Sequence, residues 1–369
     1  MTSEITVISL QDVKTILSQA SLDDLVLSQA RAFRSLNPRP RLHPDANQEA
    51  SEPAPDSSSS SPDQPKTEKT SNAEETDSTQ CPARLSIQTP GYTQLYMPAR
   101  IARAPSVIKI VSVPSAKCGK NGILGTNVQL NDGTGGVSHL VNSTLLTAVR
   151  TAVGSLVSSI LAFSQNSQVS HIVVFGSGAQ ALLHAWLHIR HFGCTRLSVV
   201  LPSHAGSFSS NSPSDIDFER VLGTADLVCT CTPSTQPLFD ADWIRPGTHI
   251  VSIGSYKPSM IELPSDLVRS VSEQGNLIVD SKTACLHEAG CLIQAGVEAQ
   301  LDRWLELGDL LPDPDLHADL PSQCQNRTES PKSDISIFKS VGVGVQDVAI
   351  TQLVVRLADQ LGLGTKVAF

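Results

Sequence analysis

The 369-residue sequence predicts an α/β fold organised on a doubly wound parallel sheet. The first observation is a short β-branched run, Ile172 to Phe175, that stops at Gly176 and Gly178. Helix-spaced apolar residues follow it: Ala181, Leu182, Ala185, Trp186 and Ile189. A buried strand turning into a helix gives this pattern. The second observation is a series of further apolar runs at 197–201, 225–231, 249–253 and 276–280, with helical material between some of them. Strands at that spacing suit a parallel sheet with crossover helices.

In the strand–turn–helix unit, Gly176 permits the tight turn and Gly178 lets a pyrophosphate reach the backbone. Ala181 lets the helix cross the strand closely. The helix N-terminus adds free N–H groups and partial positive charge. Gly-x-Gly-x-x-Ala by itself is a weak signal, and a plain structural turn is the competing reading. The strand before it and the helix after it favour a dinucleotide-binding (Rossmann) site.

The remaining elements follow in chain order. Residues 9–35 read as two helices, with Ser9 and Ser21 as N-caps and Asp12 and Asp24 in the first turns. Residues 38–80 are dominated by proline, serine, acid and amide, and 44–80 contain no Val, Ile, Leu, Met, Phe, Tyr, Trp or Cys. Such a stretch cannot offset its ordering entropy by burial, so it is expected to be a disordered surface insertion. Strands are predicted at 84–87, 93–97, 107–113 and 126–130, and a turn at 131–136 leads to another at 137–141. Thr144 is placed to cap a long helix over 145–163. Residues 285–311 read as helical. After a polar loop near 312–333, residues 336–344 lead into a last helix over 347–361.

Composition excludes several classes. The net charge of −9 is concentrated in 44–80, which carries nine acidic residues and two lysines, so the remainder is near neutral. No basic stripe suggests nucleic acid. No apolar run reaches the roughly 20 residues of a membrane span. The start is acidic and lacks a signal-type apolar core. The eight cysteines show neither a CxxC pair nor metal-ligand spacing. A reduced, cytoplasmic protein without a bound metal is the expectation.

Several stretches together resemble the ornithine cyclodeaminase / mu-crystallin family of NAD(P)-dependent proteins. They are Cys81-Pro-Ala-Arg84, Leu95-Tyr-Met-Pro-Ala99, Ile108-Lys-Ile-Val111, Leu146-Thr-Ala-Val-Arg-Thr-Ala152 and Phe175-Gly-Ser-Gly-Ala-Gln180. Ala225-Asp-Leu-Val228, Trp243-Ile-Arg-Pro-Gly-Thr-His249, Ile278-Val-Asp-Ser281 and Phe338-Lys-Ser-Val-Gly342 continue the match in family order. The resemblance implies a Rossmann domain paired with an α+β substrate and dimerisation domain built from both chain ends, in a homodimer. It divides the chain into 1–148, carrying the insertion 38–80, then the NAD(P)-binding domain 149–320, then 334–369 returning to the first domain.

The resemblance also implies that Arg84, Lys109 and Arg150 hold a substrate carboxylate. Lys109 is singled out by the residues too. It lies inside Val107-Ile-Lys-Ile-Val111, where a cation must line a cavity or meet an anion unless the strand is an edge with the lysine in solvent. Arg150 lies in an otherwise apolar helix, where a structural ion pair is the alternative, and Arg41 is a rival to Arg84. On the cofactor side the resemblance places Thr151, Gly176, Gly178, Ala179, Gln180, Thr232, Pro233, Ser340, Val341 and Gly342. Neither an acid nor an arginine follows the strand at 197–201. His204 or Ser203 could contact a phosphate there, and the choice between NAD and NADP stays open. Two departures bear on chemistry. Cyclodeaminases carry an acid where this chain has Leu95, and an aspartate in the glycine-rich turn where it has Tyr256. The resulting expectation is an NAD(P)H-dependent reductase or dehydrogenase acting on a carboxylated, cyclic imine, with Lys109 as the catalytic candidate. An ornithine cyclodeaminase and a non-catalytic NADPH-binding protein are the alternatives.

Overall fold

The computed structural model describes residues 4–37, 78–115, 122–163, 168–201, 218–312 and 334–368. The expected insertion lies outside these residues apart from 78–80, as do Arg41, Ser203, His204 and most of the polar loop near 312–333.

Two seven-stranded sheets form among the described residues. The first uses β1 (Glu4–Ile8), β2 (Leu85–Gln88), β3 (Tyr92–Ala99), β4 (Val107–Pro114), β5 (Leu124–Leu130), β6 (Val137–Asn142) and β14 (Thr365–Ala368). Their order is β14-β1-β6-β5-β4-β3-β2. Only β1 and β6 pair in parallel; every other neighbour is antiparallel. The pairing of β1 with β14 brings both chain ends into one sheet.

The second sheet uses β7 (His171–Phe175), β8 (Arg196–Val200), β9 (Leu227–Thr230), β10 (His249–Ser252), β11 (Leu277–Val279), β12 (Leu305–Glu306) and β13 (Ser336–Lys339). Their order is β12-β11-β13-β10-β9-β7-β8, all parallel. Strands β7, β9, β10 and β11 are buried along their whole length, as expected for a sheet covered on both faces. The next strand in the chain, β8, lies on one side of β7, and β9 lies on the other. The winding therefore reverses at β7, and the crevice outside its carboxyl end is the expected ligand site.

Helices α1 (Leu10–Gln19), α2 (Leu22–Leu36), α3 (Thr144–Ala162), α4 (Ala179–Phe192) and α9 (Gly344–Leu361) complete the framework, with the shorter α5 (Phe218–Leu222) and α6 (Ser265–Glu273) beside the parallel sheet. Both predicted N-terminal caps are present: the Ser9 and Ser21 hydroxyls accept from the backbone N–H of Asp12 and Asp24. Helix α3 is long and apolar enough to cross a membrane, yet 89% of its apolar window is buried inside the protein. It packs against α2, α4 and α9 and reaches strands of both sheets, which makes it the shared core helix. Phe33 of α2 meets Phe338 of β13 edge to face and extends this core between the sheets.

Three predictions need correction. Thr144 does not cap the long helix but is its first residue, and Ser143 takes the N-cap position without a side-chain hydrogen bond. Residues 285–311 are not one helix. They form α7 (Lys282–Glu288), α8 (Gly290–Ala295), two 3-10 turns and β12. Gly296 takes a left-handed φ of 66° and ends α8 there. Residues 336–339 are a central parallel strand, and α9 begins at Gly344 instead of 347. Strands β1 and β14 were not anticipated at all.

Candidate functional site

The glycine turn follows from backbone need. Gly176 has a φ of +124°, and a Cβ there would lie 2.8 Å from the Cys231 carbonyl oxygen. No other residue fits that conformation without strain. A Cβ on Gly178, by contrast, meets nothing within 4 Å. Gly178 is the N-cap of α4, and no side chain caps that helix end. Open space beside uncapped N–H groups is what a diphosphate requires.

Thr232 and Pro233 follow β9, Gly254 follows β10, and Ser340 to Gly342 follow β13. Two buried carboxylates hold these loops, and sequence reasoning assigned a role to neither. Glu262 accepts from Thr232 N (2.7 Å), Thr232 Oγ1 (2.9 Å), Thr230 Oγ1 (2.9 Å), Gly254 N (2.7 Å) and Ser255 N (3.2 Å). Asp280 accepts through Oδ2 from Ser340 Oγ (2.7 Å), Val341 N (2.9 Å) and Gly342 N (2.7 Å). The signal for Asp280 was an acid directly after an apolar strand. For Glu262 it was an acid beside Leu263, which is fully buried.

Lys109 lies on β4 in the inward row with Val107 and Val111, between β3 and β5 and away from any sheet edge. It is 1% exposed. Its Nζ donates to Asp347 Oδ1 at 3.0 Å. Arg150, on the buried N-terminal half of α3, sets Nε 3.4 Å from the same oxygen and donates from Nη1 to Gln346 Oε1 at 2.7 Å. Burial and the Arg150 charge, against the pull of Asp347, bring the Lys109 pKa down to about 8. Arg84, just ahead of β2, donates from Nε to Glu288 Oε1 at 2.7 Å, forms a second contact with that carboxylate, and donates from Nη1 to the Val341 carbonyl at 3.4 Å.

The three cations and the loops after β9 and β13 border one cavity of about 350 Å³. Lys109, Arg84, Arg150 and Thr151 line it from the antiparallel-sheet side and α3. Gly178, Ala179, Gln180, Thr232, Pro233 and Ser340 to Gly342 line it from the parallel sheet. Gly176 does not line the cavity and acts through the shape of the turn. Leu95, Met97, Val111, Val113 and Ile123 supply an apolar wall, and Tyr256 closes the cavity near Arg84. Burial raises the Tyr256 pKa, with Arg84 opposing. No group of His, Cys, Asp and Glu suited to a metal ion occurs among the described residues.

A glycine turn at the switch point of a parallel sheet, facing cations carried by an antiparallel sheet and α3, defines a Rossmann-type protein with a composite site. Residues 91–360 match the ornithine cyclodeaminase/mu-crystallin family, and the chain belongs to that family. It is 28% identical over 226 residues to the ketimine reductase mu-crystallin of Mus musculus, spanning 60% of this chain and 65%, just under two thirds, of that relative. It is 27% identical over 277 residues to a Delta(1)-pyrroline-2-carboxylate reductase of Bacillus cereus, covering 71% of this chain and 80% of that one. The structure of the Thermococcus litoralis Delta(1)-pyrroline-2-carboxylate reductase, in complex with NADH and L-proline, superposes with a TM-score of 0.69 at 20% identity. That match covers 98% of this chain and 100% of the other, and it establishes the shared fold.

Proposed function

We propose that this protein is an NAD(P)H-dependent reductase of a carboxylated imine, in the preferred case a cyclic ketimine reduced to a proline- or pipecolate-like amino acid. The carrying observation is that Lys109, Arg150 and Arg84 share one cavity with the Gly178–Gln180 helix start. The named relatives, a ketimine reductase and a pyrroline-2-carboxylate reductase, support the same reading. The Gly176 turn, Thr151, Gly178 to Gln180, Thr232, Pro233 and Ser340 to Gly342 would hold NAD or NADP, and the open space at Gly178 fits a diphosphate. When bound, the reduced cofactor supplies the hydride.

The chain's own groups do the rest. Arg150 and Arg84 hold the substrate carboxylate, Arg84 exchanging contact with Glu288 for contact with the substrate. Lys109 Nζ, charged below about pH 8, neutralises the carboxylate and protonates the imine nitrogen. Among the described residues, two carboxylates, Asp347 and Glu288, pair with these three cations. One positive charge is left over, the complement of a single substrate carboxylate. The wall of Leu95, Met97 and Val111 suits a hydrocarbon ring and offers nothing to a distal ammonium, which disfavours ornithine cyclisation.

We further propose the division into 1–148 with 334–369 as the substrate and dimerisation domain and 149–320 as the NAD(P) domain. Leu85 (67% exposed) and Ile87 (52%), on the edge strand β2, support a homodimer joined through that sheet. Six free thiols among the described cysteines support a reducing, cytoplasmic setting.

The test is to incubate the purified chain with NADH or NADPH and five- and six-membered cyclic ketimine carboxylates, ornithine, lysine and proline. Loss of reduced-nicotinamide absorbance with a ketimine is the expected result. Ammonia from ornithine without net absorbance change would identify a cyclodeaminase instead, and cofactor binding without any turnover a binding protein.

A further inference from the structure

Lys109 and Arg150 come from β4 and α3, and one buried group holds both. Asp347, in the first turn of α9, is 1% exposed and does not itself border the cavity. Its Oδ1 takes Lys109 Nζ at 3.0 Å and Arg150 Nε at 3.4 Å, while Oδ2 is buried with no hydrogen-bond partner among the described residues. The neighbouring Gln346 accepts from Arg150 Nη1 and returns Nε2 to the Arg150 carbonyl at 3.3 Å, so the start of α9 grips the arginine from two sides. A carboxylate kept with half its hydrogen-bonding capacity unused contributes through charge.

We infer that Asp347 is the positioning residue of this site, holding Lys109 and Arg150 side by side and making it possible for both to stay charged in a water-poor wall. The other groups that face Lys109 cannot do this. Arg150 of α3 and Arg84 ahead of β2 both repel it, and Glu288 of α7, which pairs with Arg84, is not among the charges acting on it. Met97 of β3 and Asn127 of β5, its register neighbours, are uncharged. The Tyr256 phenol and the Cys81 thiol are both held in their neutral forms by burial.

The inference rests on the reductase reading only for its kinetic arm. In the spectroscopic arm, the full chain is labelled with ε-¹³C-lysine, and the Lys109 signal is assigned by its loss in Lys109→Arg. The titration midpoint is then compared between wild type and Asp347→Asn. We expect the midpoint to fall by about one to three pH units, as for removal of an adjacent opposite charge. The alkaline limb of kcat/KM on the best imine should move down with it while NADH affinity is unchanged. An unmoved midpoint overturns the inference whether or not any imine is reduced. If wild type reduces none, the reductase reading fails and the titration alone decides Asp347. If Asp347→Asn does not fold, Asp347→Glu decides. It should keep the midpoint near that of wild type and lose about 10²-fold in kcat/KM, mainly through KM, because the two cations are displaced. Wild-type KM in that variant also overturns the inference.

Discussion

Glu262 and Asp347 hold opposite walls of the same cavity from behind, without lining it, and are treated in opposite ways. Glu262, on the parallel-sheet side, accepts five hydrogen bonds of 3.2 Å or shorter from groups on two segments, all of them neutral donors. Asp347, on the antiparallel side, shares a single oxygen between two cations and leaves the other without a partner among the described residues. The first arrangement fixes loops, because every lone-pair direction is spent on geometry. The second holds charge in a place where charge is expensive, so Lys109 has a lowered proton affinity and can respond to an arriving anion. One side of the crevice is therefore a mould, and the other is a titratable surface.

The largest effect that would sharpen this contrast belongs to the mould. Glu262→Ala leaves several buried donors unsatisfied at once, and denaturant unfolding should show a loss of about 4 kcal/mol or more. A variant of near-wild-type stability would break the comparison. Gly176→Ala comes next. With φ at +124° and the Cys231 carbonyl 2.8 Å from the new methyl, it should cost about 1–3 kcal/mol. NADH titration should show weaker binding as the turn opens.

On the titratable side, Lys109→Met should leave NADH affinity near wild type, cost stability by leaving buried Asp347 with Arg150 alone, and lower kcat/KM on an imine about 10²–10⁴-fold. The pH behaviour of wild type separates activity from stability. The folded Lys109 pKa, about 8, lies below its ordinary 10.5, so between those values the unfolded chain binds more protons. This group therefore adds stability as pH rises from about 8, while activity falls because the ammonium is lost. Urea midpoints read between pH 8 and 9, before buried thiols such as Cys229 and Cys231 oppose the trend, should rise or hold as turnover declines.

The smallest expected effect lies where the two sides join. His184 and His188 of α4 are fully buried, facing Ser155 and Ser159 of α3 at 2.9 and 3.0 Å. Burial drives their pKa values down to about 4 and about 3. The unfolded chain protonates them first, so stability should decline as pH falls below 6.5. A His184→Gln, His188→Gln double variant should show a flatter acid limb in the same urea series.

The contrast also explains what could be read from the sequence. Strand β7 and its turn were legible because an apolar run, two glycines and a helical period sit within some twenty residues. Lys109 was legible because a cation among valines and isoleucines has few explanations. Strand β13 was hidden because it is four residues long and ends on a lysine. That lysine, Lys339, is fully buried and donates to the Ser252 and Ser340 carbonyls, a satisfaction with no local mark. Strand β14 is exposed at every position and shows no burial pattern. The role of Asp347 was invisible for a different reason: its contact with Lys109 spans 238 residues, and no periodicity reports a pairing at that distance.

The late position of β13, α9 and β14 has a consequence for how the chain is made. Strand β13 sits between β10 and β11, and β14 forms the edge of the other sheet next to β1, so neither sheet is complete until residues 336–368 have been made. Until then β10 and β11 present raw edges to solvent or to a chaperone. A chain cut before residue 336 would leave both sheets short of a strand at once.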